Sequence, residues 1–375
     1  MTAPPAGIRA APQRRGKPSA AVAAVVGALL LGLLGGCAHA ANGTGPAAAV
    51  AAGDTSPATA LRLGYFANVT HSTPIVGVAG GYFAAKLGST TLSTQTFKAG
   101  PDEMTALLSG QLDAAYVGPS SALNSFVASH ERGLVIVAGA EVGGAELVVA
   151  PGINSAADLR GKTIADPQLG NTQDVAMRYW LAQQGFHTSL QGAGDVNVQP
   201  TDNPTTLSLF RTGRISGAWV PEPWASQLVL SGGGHVLVDE RSLWPQGVFA
   251  TTVLVVRADY LAAHPQTVKE LIAGQLAANS WITAHPAQAQ TMVNGQIAKL
   301  SGTTLKPAVL ARAWSEESVS NDPVAVSLRT EMIHAVSVGL VKNTALTGIF
   351  NLTLLNQDLT ATGTQSVSAD GLGES

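Results

Sequence analysis

The stretch Tyr116-Val117-Gly118-Pro119-Ser120-Ser121 decides how this chain reads. It closes the apolar run Ala114–Val117 with Gly-Pro, and Gly-Pro opens a helix. Proline suits a first helical position, because its φ is already set and its missing N–H is one the helix would leave unpaired. The same change from β-type run to helical segment recurs on both sides. Candidate strands are Leu61–Tyr65, Leu92–Phe97, Ala114–Val117, Val135–Ala138, Leu147–Ala150, Thr163–Ala165, Asn197–Gln199, Gly217–Val220, Val236–Val238 and Thr252–Val256. Between most of them lie helical stretches with readable ends. Pro101-Asp102-Glu103 makes an acid-rich first turn, Met104, Leu107 and Leu108 an apolar stripe, and Gly110 a stop. Asn171 caps another helix, with Asp174 three residues on and Gly185 as its end.

Alternating strands and helices predict parallel sheets covered on both faces. Beyond about Ala258 the strand pattern stops, and helical segments continue to about Leu355. The Pro/Gly-flanked segments Ala150-Pro151-Gly152 and Gln246-Gly247 are the expected crossings between two lobes. The first lobe then comprises residues 61–150 and 250–375, and the second residues 151–249. Two α/β lobes joined twice form a clamp, with a crevice at the carboxyl ends of the strands.

Composition agrees. With 375 residues, 46% apolar and 12% charged, the chain can bury real cores. Residues 1–36 hold four bases (Arg9, Arg14, Arg15 and Lys17) and no acid, so the rest sets 17 bases against 24 acids, a net −7. Such a protein has no general attraction for nucleic acid or anionic lipid. The N-terminus reads as an export signal: a basic stretch, then the apolar run Ala20–Leu34, then Gly35-Gly36 before Cys37. That run is shorter than the roughly 20 residues needed to span a bilayer. Leu34-Gly35-Gly36-Cys37 resembles a bacterial lipobox, in which the thiol is acylated and anchors the protein to the membrane. A plain cut after Ala38-His39-Ala40 stays open as the alternative, and both place the protein outside the cytoplasm. Residues 37–60 are expected to form a flexible Ala/Gly/Pro tether. A single cysteine allows no internal disulfide and no cysteine-built zinc site.

Enzyme motifs fail one by one. The chain has no G-x-S-x-G elbow, no phosphate loop ending in Gly-Lys-Ser/Thr and no H-E-x-x-H helix, and its eight histidines are scattered. The glycine cluster from Gly139 to Gly144 lacks the dinucleotide spacing.

Four segments fall where a strand gives way to a loop or helix. Asn68, Thr70 and His71 follow the first strand and bring amide, hydroxyl and imidazole together, although Asn and Thr also suit an ordinary turn. Gly118 and Ser120 open a helix whose free N–H groups attract anions without any arginine. Asn171, Thr172 and Gln173 repeat that geometry, with Arg178 read as the partner of Asp174. Trp219 and Glu222 flank a Pro-rich strand end, Trp219 as a crevice wall and Trp224 as core; a helix-start carboxylate is the plainer role for Glu222.

These segments, with Ala99-Gly100-Pro101, Leu169-Gly170-Asn171-Thr172-Gln173-Asp174-Val175 and Trp219-Val220-Pro221-Glu222-Pro223-Trp224, resemble the SsuA/TauA/NrtA-like substrate-binding proteins of ABC importers. The similarity runs from about Leu61 to Leu355 and is nearest the aliphatic-sulfonate branch. It implies the α/β type II periplasmic-binding-protein fold, two lobes closing over a small anionic solute and delivering it to an ABC permease with its ATPase. It further implies a monomer without catalysis, cofactor or metal. The resemblance assigns solute contacts to Asn68, Thr70, His71, Gly118, Ser120, Asn171, Thr172, Gln173, Trp219 and Glu222, with Gly143 and Gly144 as lesser candidates. Taurine, nitrate or a vitamin precursor as solute, an enzyme on the same fold, and a sensor module remain alternatives.

Overall fold

The computed structural model describes residues 57–373; the signal, Cys37 and most of the tether lie outside the described residues. In chain order the strands are β1 (Ala60–Phe66), β2 (Thr91–Phe97), β3 (Ala114–Val117), β4 (Leu134–Gly143), β5 (Ala145–Val149), β6 (Thr163–Asp166), β7 (Asn197–Pro200), β8 (Gly217–Pro221), β9 (His235–Asp239), β10 (Ala250–Arg257) and β11 (Glu317–Val319). They form a six-stranded sheet, β11-β4-β10-β3-β1-β2, and a five-stranded sheet, β7-β6-β8-β5-β9.

Neither sheet is wholly parallel, which corrects the sequence expectation. Strands β1, β2 and β3 run parallel, as do β6, β7 and β8. Strand β10 is antiparallel to β3 and β4, and β5 is antiparallel to β8 and β9. The reason is topological. Strand β4 runs parallel to β1 and β3, so it reaches the edge where their carboxyl ends lie, and the chain passes straight into the other sheet. A strand entering from that edge must run away from it, against the βα units already there. Strand β10 reverses for the same reason on the way back. The outward crossing therefore sits at Gly143-Gly144, between β4 and β5, and not at Ala150-Pro151-Gly152, so β5 belongs to the second sheet. Pro-Gly after β5 ends a strand, not a lobe. The return crossing falls between β9 and β10, the interval that contains Gln246-Gly247.

Two further expectations shift. Strand β11 lies beyond Ala258, pairs among the described residues with β4 alone and is too short to show an alternating pattern. The tether ends before residue 60: Ala58 is buried, its N–H donates to Thr267 Oγ1 at 2.7 Å, and its carbonyl accepts from the Thr90 hydroxyl at 2.6 Å.

The second sheet carries a core on each face, as period-two pleating requires. Leu147, Val149, Ile164 and Trp219 face one side with Met177 and Leu181, while Val148, Ala165, Ala218 and Val220 face the other with Leu228. Trp219 is thus a core residue, correcting its reading as a crevice wall. Its place in mid-strand, opposite Leu147, aims the indole under the helix Thr172–Gln183. The indole N–H donates to Glu240 Oε2 at 2.7 Å, and burial pushes the Glu240 carboxyl up to about 7.

Trp219→Phe keeps most of the apolar bulk and leaves that buried carboxyl oxygen without its donor, at a cost of about 1–3 kcal/mol. Urea unfolding of the variant is expected to show that loss with an unchanged slope; stability equal to that of the parent contradicts the assignment.

Candidate functional site

Two helices, Pro119–Ala128 after β3 and Thr172–Gln183 after β6, start at facing edges of the two sheets. Their first turns meet. Thr172 Oγ1 accepts the Ser120 N–H at 3.4 Å, and a Cβ on Gly118 would lie 2.4 Å from the same oxygen. Only glycine allows that approach. Asn171 caps its helix by accepting the Asp174 N–H at 2.8 Å, and Asp174 accepts the Gly170 N–H at 2.8 Å. The backbone N–H groups of Thr172 and Gln173, and the Gln173 side-chain amide, find no partner among the described residues, although Gln173 is buried. Free donors at a helix start are an anion-attracting arrangement.

The other loops complete the seam. Asn68 follows β1, and its Oδ1 accepts the Trp224 indole N–H from the opposite lobe at 3.0 Å. Thr70 donates its N–H to the Glu222 carbonyl at 3.5 Å, and its own carbonyl accepts from Thr252 Oγ1 at 2.6 Å. Asn124 Nδ2 donates to the Gly170 carbonyl at 2.7 Å, and Tyr179 stacks on His334 with centroids 3.6 Å apart. The lobes are closed on one another here.

Not every residue read as a contact faces this seam. His71 is turned inward: its Nε2–H donates to the Tyr116 carbonyl at 3.1 Å, its ring stacks on Phe66, and burial pushes its pKa down to about 3, so the ring is neutral. The Ser120 hydroxyl donates inward to Glu331 Oε2 at 2.6 Å. The carboxylate of Glu222 is fully buried. It accepts from the Ser226 N–H and hydroxyl and from Arg312 Nη1 at 2.8–3.0 Å, so both oxygens are already engaged by the protein. Burial, aided by Glu146, pushes its pKa up to about 7. Gly143 and Gly144 form the crossing itself, and a Cβ on Gly144 would lie 3.1 Å from Thr70 Cγ2.

Sequence reasoning missed three participants. Arg312, on the helix Pro307–Ser315, grips both Glu146 oxygens at 2.7–2.8 Å as well as Glu222. It sits where the strand pattern has stopped, with no motif around it. Trp224, read as core, is half-buried at the seam, because Pro223 places it at the first turn of its helix. Glu331 lies beneath Ser120, and burial pushes its carboxyl up to about 8, so it holds its proton at neutral pH and puts no negative charge under the helix start. The Asp174–Arg178 pair, expected from spacing, is present at 2.5 Å and almost wholly buried. Among the described residues no group of three or more side chains could hold a metal ion.

Known proteins share this fold. The model of the family described as NMT1-like matches residues 54–296. A putative binding protein of Brucella abortus is 29% identical over 226 residues, 60% of this chain and 66% of that protein, so the match spans just under two thirds of that relative. The taurine-binding periplasmic protein of Escherichia coli K12 is 30% identical over 191 residues, 49% of this chain and 55% of that one. Among solved structures, the nitrate-binding protein NrtA from Synechocystis superposes with a TM-score of 0.70 at 16% identity, over 81% of this chain and 89% of that one. The alkanesulfonate-binding protein SsuA from Xanthomonas axonopodis pv. citri, bound to MOPS, gives 0.64 at 21%, over 77% and 96%. These structural likenesses establish the periplasmic-binding-protein fold.

The Glu331 carboxyl has a folded pKa above its unfolded value, so the folded state holds the extra proton between about 4.5 and 8 and loses that advantage as pH rises through this window. Glu331→Gln removes the titration and keeps a hydrogen-bonding partner for Ser120. Thermal melts from pH 5 to pH 9 are expected to move in the variant's favour relative to the parent as pH rises; a constant difference refutes the assignment.

Proposed function

The chain belongs to the NMT1-like family, and from that premise we propose that it is an extracytoplasmic solute-binding protein of an ABC importer. It captures a small organic anion between its lobes, an aliphatic sulfonate first among the candidates, and hands it to a permease and its ATPase. No bond in the solute is made or broken. A lipidated Cys37 holds the protein at the membrane, and it works as a monomer. The observation that carries this reading is the pair of helix starts facing one another across the seam, with the Thr172 and Gln173 donors free.

The energetics support several donors acting together. A neutral hydrogen bond contributes about 0.5–1.5 kcal/mol net, whereas micromolar affinity needs about 8 kcal/mol. A sulfonate spreads one charge over three oxygens, so it can be held by the Thr172 and Gln173 N–H groups, the Gln173 amide and the Ser120 N–H. Asn68 and Thr70 line the approach. The closed contacts between Gly118 and Thr172 leave no room for a solute, so entry requires the lobes to part and re-close around it. The names of the relatives allow taurine or nitrate as well. The engagement of Glu222 by Arg312 and Ser226 favours a plain alkanesulfonate over a solute with an ammonium group.

Calorimetry with ethanesulfonate, taurine, nitrate and bicarbonate tests the reading. Ethanesulfonate is expected to bind at least as tightly as taurine. Gln173→Ala, which removes the side-chain amide, is expected to weaken it about two- to tenfold, the worth of one hydrogen bond. Gly118→Val, which inserts side-chain atoms between the helix starts, should abolish binding while the protein still unfolds cooperatively. Failure of all four anions to bind, or full affinity in both variants, overturns the proposal.

A further inference from the structure

A groove of about 730 Å³ opens beside the seam, between the ends of β1 and β2, the helix Asn203–Arg211, the start of the helix Trp224–Leu230 and the stretch 297–309. It touches the seam at Asn68 and Trp224. Its volume falls within the roughly 300–1,000 Å³ of pockets that take drug-sized ligands, far more than a one- or two-carbon anion fills.

Its lining is chemically biased. Three cations border it, Lys98, Arg211 and Lys306, and no aspartate or glutamate does, in a chain that carries more acids than bases. The cations are largely unspent. Arg211 donates its Nε–H to the Ser231 carbonyl at 3.2 Å and has no carboxylate partner among the described residues. Lys306 makes no ion pair among the described residues, and Lys98 lies 4.0 Å from Asp202, an exposed contact of little strength. Trp224 and Phe97 supply flat apolar surface, the setting in which an aromatic or alkyl body is buried. Asn203 adds a specific demand: it is 97% buried, it lines the groove, and its side-chain carbonyl has no hydrogen-bond partner. Leaving a buried polar oxygen unpaired is unfavourable, and a donor on an occupant would satisfy it.

We infer that this groove is a second binding site, for an organic anion with an aromatic or long alkyl body and a hydroxyl or amino donor: the body against Trp224 and Phe97, the anionic end among Lys98, Arg211 and Lys306, and the donor on Asn203. It is argued from its own lining and stands whether or not the seam holds a small anion. A solute too large for the seam would be retained here, and a small one would not.

Calorimetry on the whole protein tests this with 6-hydroxynaphthalene-2-sulfonate as probe, 2-naphthalenesulfonate as the anion lacking the donor, and 2-naphthol as the neutral comparison. The hydroxy-sulfonate is expected to bind about tenfold more tightly than 2-naphthol and more tightly than 2-naphthalenesulfonate. Arg211→Gln combined with Lys306→Gln, both exposed and outside the core, should weaken the probe about fivefold and leave ethanesulfonate unaffected. Asn203→Ala should erase the difference between the two sulfonates. In Gly118→Val the probe should still bind, so loss of seam binding and loss of groove binding are read separately. Equal affinity for 2-naphthol and the hydroxy-sulfonate, no change in the double variant, or loss of the probe in Gly118→Val overturns the assignment.

Discussion

The architecture depends on one tight crossing. Strand β4 ends at Gly143 and β5 begins at Ala145, so a single residue carries the chain between sheets. Both Gly143 and Gly144 have φ near +75°, where a side chain is strained, and a Cβ on Gly143 would lie 2.8 Å from the Glu316 carbonyl oxygen. From this crossing follow the reversed direction of β5, the mixed sheets and the meeting of helix starts from both sheets at one edge. A longer connection would allow the lobes many relative positions. This one holds their facing edges together at one end.

Around the crossing, charge is buried in a controlled way. Arg312 is shared between Glu146 on β5 and Glu222 at the end of β8, while Asp174 and Arg178 neutralise each other below the second helix start. Removing one partner from such a pair costs more than the pair contributes, since it strands a desolvated charge. Acids without a cationic partner keep their protons instead: burial raises both Glu331 and Glu141 to about 8. Beneath the helix starts, Glu331 keeps its proton and the charge of Asp174 is offset by its arginine. On the proposed function, that arrangement would let neutral donors attract an anion without a cation among the seam contacts.

Much of this was legible beforehand, and the failures are instructive. The ten strands β1 to β10 were visible because nearly all are compact apolar or β-branched runs ended by turn residues, β7 (Asn-Val-Gln-Pro) being the exception. Asn171 as a cap and Arg178 as the partner of Asp174 followed from helical spacing alone. Trp219 and Trp224 were exchanged in role because a tryptophan beside proline reads the same in core or cleft; only the pleat of β8 decides which face it takes. His71 and Glu222 have the right chemistry for a solute, but Tyr116 and Arg312, distant in sequence, had already engaged them.

By itself, then, the sequence determined the alternation of elements, the capped helix starts and the turns that carry polar groups, because these depend on neighbours within a few residues. Tertiary structure alone decided the direction of β5 and β10, the place of the crossing, the pairing of Arg312 and the cationic groove beside Trp224. Each of those joins residues tens to hundreds of positions apart, and which atoms finally touch is set by close packing of the two sheets, which no local spacing encodes.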